Sequence, residues 1–278
     1  MTASLRISGT PETGLRRIAA NLSAWFALLV RPRRFKESRL WPPYVRLAAG
    51  SLAGVLLVGF AMLVLDARGV AFAKSLPLWL VETFNEITDF GKSGWFLIPI
   101  GALMVLAAIA STPAAGRIAN LVLTSLIVRL GYIFVAIALP SLIVTIVKRL
   151  IGRVRPSELG PFAYVPWSWK PAFASMPSGH ATTAVAAAIA IGALWPKARL
   201  PMWIYAAVIM ASRVIIEAHY VSDVLAAAFV GGFGAILVRN WFAARALAFI
   251  PARDGTVRAM PGPSWRRVKA VARRLLGQ

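Results

Sequence analysis

The sequence contains no cysteine. That absence excludes disulfides, thiolate nucleophiles and cysteine-based zinc sites, and it leaves the redox compartment undetermined. Histidine is scarce: His180 and His219 are the only two in 278 residues. Acidic residues are few, 10 Asp and Glu against 31 Lys and Arg, for a formal charge of +21. So one-sided a charge raises nucleic acid as a partner. Its distribution argues against that. Nine Lys/Arg fall in residues 1–46 and nine more in residues 239–278, at the two ends of an apolar chain. Basic ends flanking apolar spans suit the cytoplasmic face and anionic lipid headgroups. The bilayer is the expected partner, and nucleic acid is not.

Apolar residues are abundant. They make up 59% of the chain, with a mean hydropathy of +0.70. A soluble domain of this size would be about half apolar. The expected class is all-α, a polytopic membrane helical bundle with six transmembrane helices. The spans are read at about 47–65, 94–111, 121–147, 178–195, 201–217 and 222–243. Each is near the roughly 20 residues a bilayer requires. Asp66 closes the first span, Arg129 and Pro140 lie in the third, and Gly231, Gly232 and Gly234 enrich the last. Residues 18–30 form an apolar run too short to span, bounded by Arg17 and Arg31. They are expected to form an N-terminal helix lying in the interface, not a cleavable signal. The chain is thus divided into a basic N-terminal segment 1–45, a transmembrane domain 46–246 and a basic tail 247–278.

An even number of spans places both basic ends on the cytoplasmic side. The loops 66–93, 148–177 and 218–221 then face outward. The second of these breaks the charge rule, with Lys148, Arg149, Arg153, Arg155 and Lys170 against Glu158. Positive charge on the side where topology disfavours it implies another use.

Three motifs fall at those outward span ends. The first is K-x6-R-P (Lys148, Arg155, Pro156), the second P-S-G-H (Pro177 to His180), the third S-R-x5-H-x3-D (Ser212, Arg213, His219, Asp223). Ionisable residues at membrane depth are costly and are functional candidates by default. Lys148, Arg155 and Arg213 supply cations suited to the charge of a phosphoryl transition state. Pro177 to His180 opens a helix, where free N–H groups and the dipole favour an anion. Gly179 allows close approach, and Ser178 either donates to the anion or caps the helix. His219 and Asp223, four apart, share a face if helical, and a carboxylate there fixes the imidazole. A turn near Ala218–Tyr220 is expected, since Arg213 is off that face on a continuous helix. Each motif has a bland alternative: an interface anchor, an ordinary helix start, a structural pair.

Together the motifs resemble the signature of the type 2 phosphatidic acid phosphatase family, related to the vanadium haloperoxidases. The resemblance implies that His219 is a nucleophile forming a phosphohistidine. It implies that Asp223 orients it and that His180 is the general acid. Lys148, Arg155, Ser178, Gly179 and Arg213 become the phosphate-binding shell. No metal and no cofactor are implied. The expected activity is a metal-independent lipid phosphatase in a bacterial inner membrane, with its active site at the periplasmic face. Undecaprenyl diphosphate, phosphatidylglycerol phosphate, phosphatidate and lipid A phosphates all remain open as substrates. A phosphotransferase with the same intermediate, and a non-catalytic lipid-binding or transport protein, are the alternatives. Oligomeric state is not legible.

Four further readings concern neighbours of the motifs. Arg149 and Arg153 are read as a widened basic entrance or as interface anchors. Glu217 is read as solvated or salt-bridged. Phe162, Tyr164, Trp167, Trp169 and Phe173 are read as an aromatic belt, with a lid as the sharper alternative. Arg129 is expected to reach the inner interface.

Overall fold

A computed structural model describes residues 14–36, 40–42, 44–112, 115–158, 160–252 and 256–275. The first part of the N-terminal segment 1–45 and the end of the 247–278 tail lie outside the described residues. The described residues form ten α-helices and one small hairpin, in order: α1 Gly14–Val30, α2 Tyr44–Phe60, α3 Asp66–Lys74, α4 Leu78–Thr88, α5 Gly94–Ala110, α6 Gly116–Ile151, α7 Gly179–Leu194, α8 Arg199–Ile215, α9 Val221–Ala244, β1 Phe249–Pro251, β2 Val257–Ala259 and α10 Trp265–Leu275.

Among the described residues, five helical stretches are long and apolar enough to cross a membrane: Tyr44–Lys74, Leu78–Ala110, Gly116–Ile151, Pro196–Ile215 and Val221–Ala244. The sixth expected span is α7, which has only 16 residues. At 1.5 Å per residue it reaches about 24 Å, short of a hydrocarbon core of about 30 Å. Its alanines are buried, with Ala184, Val185 and Ala188 packed on Ala206 and Ile209 of α8. A helix enclosed by protein has no need to match the lipid thickness. On the long helices, apolar side chains such as Val55 (69% exposed) and Ile98 (74%) point outward. Exposed apolar surface of that extent is what lipid covers.

The first helix runs past its expected end. A π-helical turn, Ala61–Leu65, joins α2 to α3, so Asp66 sits inside a continuous helical stretch. The drop in hydropathy at Asp66 suggested a terminus. The carboxylate instead stays in the helix because it is paired (below). Much of the expected loop 66–93 is likewise helical, as α3 and α4.

The chain divides into two compact units, with the division falling within α5, α6 and α9. One comprises 41–97 and 135–239. In it, a Cβ on Gly231 would lie 2.6 Å from the carbonyl oxygen of Thr182, and one on Gly234 would lie 2.9 Å from Pro140. These two glycines let α9 approach α7 and α6 closely. Ser141 and Thr183 pair their hydroxyls at 3.2 Å.

The other unit comprises 1–40, 98–134 and 240–278. There α1 buries Trp25 with Ala108 and Ile127, and Asn21 donates to the carbonyls of Ala108 and Ser111. The tail is folded, not merely basic. β1 and β2 pair antiparallel, and Val271 of α10 packs on Ala115, Ala119 and Val122. Arg129 has partners that the sequence did not show. Its guanidinium donates to the carbonyls of Met260 and Pro261, both at 3.0 Å, so it ties the tail to α6.

Candidate active site

All motif residues fall in the unit formed by 41–97 and 135–239. Lys148 lies in the last turn of α6. Gly152 then breaks the helix with φ +66°, and a Cβ there would collide with the backbone of Val165. Only glycine fits, and the chain leaves extended. Val154 and Val165 close backbone hydrogen bonds with Ala163 and Gly152, and the Arg155 N–H reaches Ala172. The K-x6-R-P spacing is therefore a helix end, a glycine break and two residues of alternating extended chain. That alternation puts Arg153 and Arg155 on one side.

S-R-x5-H is a helix C-terminus. The N–H of Ala218 bonds the carbonyl of Arg213, and the N–H of Glu217 bonds that of Val214. Glu217 is left-handed at φ +53°. This is a Schellman motif with glutamate where glycine is usual. His219 therefore lies in a turn, as expected, and not on the helix with Asp223. Asp223 sits in the first turn of α9 and accepts the N–H of Tyr220 at 3.0 Å, a reach-back of the capping-box kind.

His219 presents Nδ1 to Asp223, 3.7 Å from Oδ2, and to Ser175 Oγ at 3.5 Å. Those separations are long for hydrogen bonds, but the carboxylate is near enough to polarise the ring. Nε2 is left for a reacting atom. Burial pushes the His219 imidazole down to about 4, against the pull of Asp223, and Arg213 and Arg155 push the same way as burial. It is thus neutral near pH 7. His180, in the first turn of α7, faces His219, Arg213 and the Asp89–Lys92 ion pair.

The cations carry unspent donors. Arg155 Nε and Arg213 Nε are buried and have no hydrogen-bond partner. Ser178 Oγ is in the same condition. Ser178 is the N-cap of α7, yet its hydroxyl caps nothing. Lys148 faces Arg155 and Arg213. A Cβ on Gly179 would meet nothing within 4 Å. Buried, unpartnered donors beside open space suit an anion.

Arg153 has neither expected use. It is fully buried and bridges Asp223 and Asp66, both at 2.6 Å. Burial lowers its pKa, but the two carboxylates more than offset that and hold it above the ordinary arginine value. Asp66 was read only as a span end. Ser175, which donates to Asp223 Oδ2 at 2.5 Å, and Thr88, which accepts from Arg213 at 2.7 Å, had no spacing to reveal them. A lone acid inside an apolar run was the one available signal for Asp66. Arg149 lies 5.1 Å over the Trp169 ring. Trp167, Trp169 and Phe162 are exposed.

A bundle of apolar helices with a histidine–carboxylate pair inside a cationic cradle defines a membrane protein built to act on an anionic group. The chain matches the PAP2 superfamily over residues 129–247. It is 32% identical to the lipid A 1-phosphatase of Rhizobium etli, across 77% of this chain and 92% of that protein. It is also 32% identical to the lipid A 1-phosphatase of Rhizobium johnstonii, across 80% and 92%. Among solved structures, the PAP2 type phosphatidylglycerolphosphate phosphatase of Bacillus subtilis aligns over 80% of this chain and 94% of its own, at 19% identity and a TM-score of 0.39. The chain belongs to the PAP2 superfamily and is a membrane lipid phosphatase.

Proposed function

We propose that this phosphatase hydrolyses a phosphate monoester on the sugar headgroup of a lipid A-type glycolipid, through a phosphohistidine. The observation that carries the chemistry is the set of buried, unpartnered donors: Arg155 Nε, Arg213 Nε and Ser178 Oγ. With Lys148 and the N-terminal end of α7 at Gly179, they suit the oxygens of a phosphoryl group. His219 Nε2 attacks phosphorus while Asp223 steadies the growing imidazolium charge. The bond from phosphorus to the lipid oxygen breaks, and His180 supplies the proton that oxygen takes up. Water then attacks phosphorus and passes a proton back to His180, the P–N bond to His219 breaks, and inorganic phosphate leaves.

The substrate class is supported by the relatives' activity, at 32% identity over most of both chains. A cleft of about 750 Å³ beside the turn that carries His219 adds to this. Trp79, Glu82, Thr83, Asn85 and Glu86 line it with Ile216. An exposed indole with carboxylate, amide and hydroxyl groups suits a sugar. The glycolipid substrate class fits a bacterial inner membrane, with the site at the periplasmic face and both termini cytoplasmic. The basic ends suit anionic headgroups there, and the exposed Trp167, Trp169 and Phe162 suit an aromatic belt.

The test is phosphate release by detergent-purified protein with excess chelator, comparing lipid A with phosphatidate and a polyprenyl diphosphate. His219→Ala is run beside it. Chelator-resistant release, fastest on lipid A and lost in the variant, is expected, with an acid-labile phosphoenzyme in the wild type. Turnover that survives His219→Ala ends the nucleophile assignment. Release only when an acceptor alcohol is added moves the reading to a phosphotransferase.

A further inference from the structure

The carboxylate behind His219 is held by a second buried charge that lies outside all three motifs. Arg153 Nη1 donates to Asp223 Oδ1 at 2.6 Å and Nη2 to Asp66 Oδ2 at 2.6 Å. Its Nε and Nη2 also reach the Pro161 carbonyl, and the Tyr220 ring lies 4.3 Å from the guanidinium carbon. Asp66 Oδ1 accepts the Ser222 N–H at 2.9 Å, and Oδ2 accepts the Ser222 hydroxyl at 2.6 Å. Ser222 Oγ in turn accepts from Arg153 at 2.7 Å. Every described partner of Asp66 donates to it, and with Arg153 it forms an ion pair. Asp66, Arg153 and Asp223 are all fully buried.

The charge count is what matters. Two carboxylates share one guanidinium, which leaves the group at −1. A closed Arg153–Asp223 pair would be neutral, and little negative field would remain for the imidazole. A buried ionic triad is poorly justified by stability, because apolar replacements of such groups are often as stable. Its cost is better explained by what it does to the group in front of it. Resting on the reading of His219 as nucleophile, we propose that Asp66 is an electrostatic positioning residue. By drawing off one arm of Arg153, it keeps Asp223 an effective anion as His219 becomes positive during phosphoryl transfer.

The consequence is a pattern of signs. His219 is faced by Asp223 from α9, Arg213 from α8, Arg155 from the segment after α6, and His180 from α7. Asp66→Asn takes the triad from −1 to 0 and makes the imidazolium harder to form. Arg153→Gln takes it to −2 and makes it easier. The double variant returns it to −1. A role confined to packing gives no such alternation.

The experiment is made on the full chain in detergent, with histidine isotope-labelled. Only two imidazoles are present, so His219 is read directly by NMR and assigned with His180→Gln. Asp66→Asn is expected to lower the His219 midpoint and to reduce kcat by about 10- to 100-fold, with KM within about 2-fold. Arg153→Gln should raise the midpoint, and the double variant should return it towards wild type with partial recovery of kcat over Asp66→Asn. Folded Asp66→Asn with unchanged kcat and midpoint overturns the proposal, as do shifts of one sign in both single variants. Should Asp66→Asn fail to fold, the double variant compared with Arg153→Gln isolates the same charge, and a missing downward shift is equally fatal. His219→Ala, measured alongside, separates the two readings: activity without His219 removes the mechanism itself, whereas a dead His219→Ala beside an unaffected Asp66→Asn removes only this inference.

Discussion

The backbone carbonyl of Arg213 accepts the N–H of His219 at 3.1 Å, so the guanidinium and the imidazole are carried by the two ends of one closed turn. The turn is made at Glu217, whose φ of +53° is costly for a residue with a Cβ. Glu217→Gly is expected to raise stability by about 0.5–1 kcal/mol and to leave kcat within about 2-fold, since the backbone alone sets the spacing. Glu217→Val, β-branched in the same conformation, should lose both stability and turnover. Thermal unfolding in detergent and phosphate release check the pair. A Glu217→Gly that stays folded but loses turnover would assign the side chain a part in the chemistry.

Ser178 and Gly179 make a prediction in which stability and activity move apart. The Ser178 hydroxyl is buried without a partner and caps nothing, so folding gains nothing from it. Ser178→Ala should be neutral or stabilising by about 1 kcal/mol. If the hydroxyl serves the phosphoryl group, kcat/KM falls by about 10²-fold, as for loss of one oxyanion donor. Gly179→Ala adds a Cβ in open space and should leave unfolding unchanged while weakening binding of substrate and of vanadate. Loss of stability in both variants, with normal activity per folded molecule, would contradict the cradle.

The sequence made the membrane class, the positions of the long helices and the three motifs legible, because each has a period or a spacing of its own. The turn at Ala218–Tyr220 was legible too, since Arg213 and His219 could meet in no other way. What escaped reading was pairing between distant segments. Asp66 and Arg153 stand 87 positions apart, and nothing local marks one as the other's partner. Asp66 therefore read as a span end and Arg153 as part of a basic entrance or as an interface anchor. The partners of Arg129 were hidden in the same manner: its carbonyl acceptors lie 131 and 132 positions further on. Span counting by hydropathy also missed that α7 is enclosed, because alanine is apolar whether it faces lipid or protein.

Gly91 ties the region before α5 to the general-acid candidate. A Cβ there would lie 2.7 Å from Ile209 Cγ2 and 3.0 Å from His180 Cδ2. Neither neighbour is free to yield, since Ile209 is buried in the α7–α8 packing and His180 is set by the start of α7. Gly91→Ala is expected to destabilise by about 1–3 kcal/mol through overpacking and to lower kcat further than the folded fraction explains. Histidine-labelled protein should show a shifted His180 signal and an unshifted His219 signal. Normal kcat per folded molecule would mean that Ile209 absorbs the whole displacement and that His180 keeps its place.

The last expectation concerns pH, and its sign follows from His219. Its ordinary value is 6.5, and burial brings it to about 4 in the folded protein, against the opposing pull of Asp223. The unfolded chain therefore takes up a proton near pH 6.5 that the folded chain refuses until near pH 4. Stability is complete above the ordinary value and falls as the pH drops from about 6.5 to about 4, by about 3 kcal/mol at most. His219→Gln carries no proton there and should show a shallower loss over the same window. The measurement is thermal unfolding of both proteins from pH 7.5 to 4, with the imidazole signal of His219 followed in parallel. A midpoint at 6 or above, with parallel stability curves, would mean that Asp223 outweighs burial. His219 would then be largely charged in mildly acidic medium and unfit to attack phosphorus there.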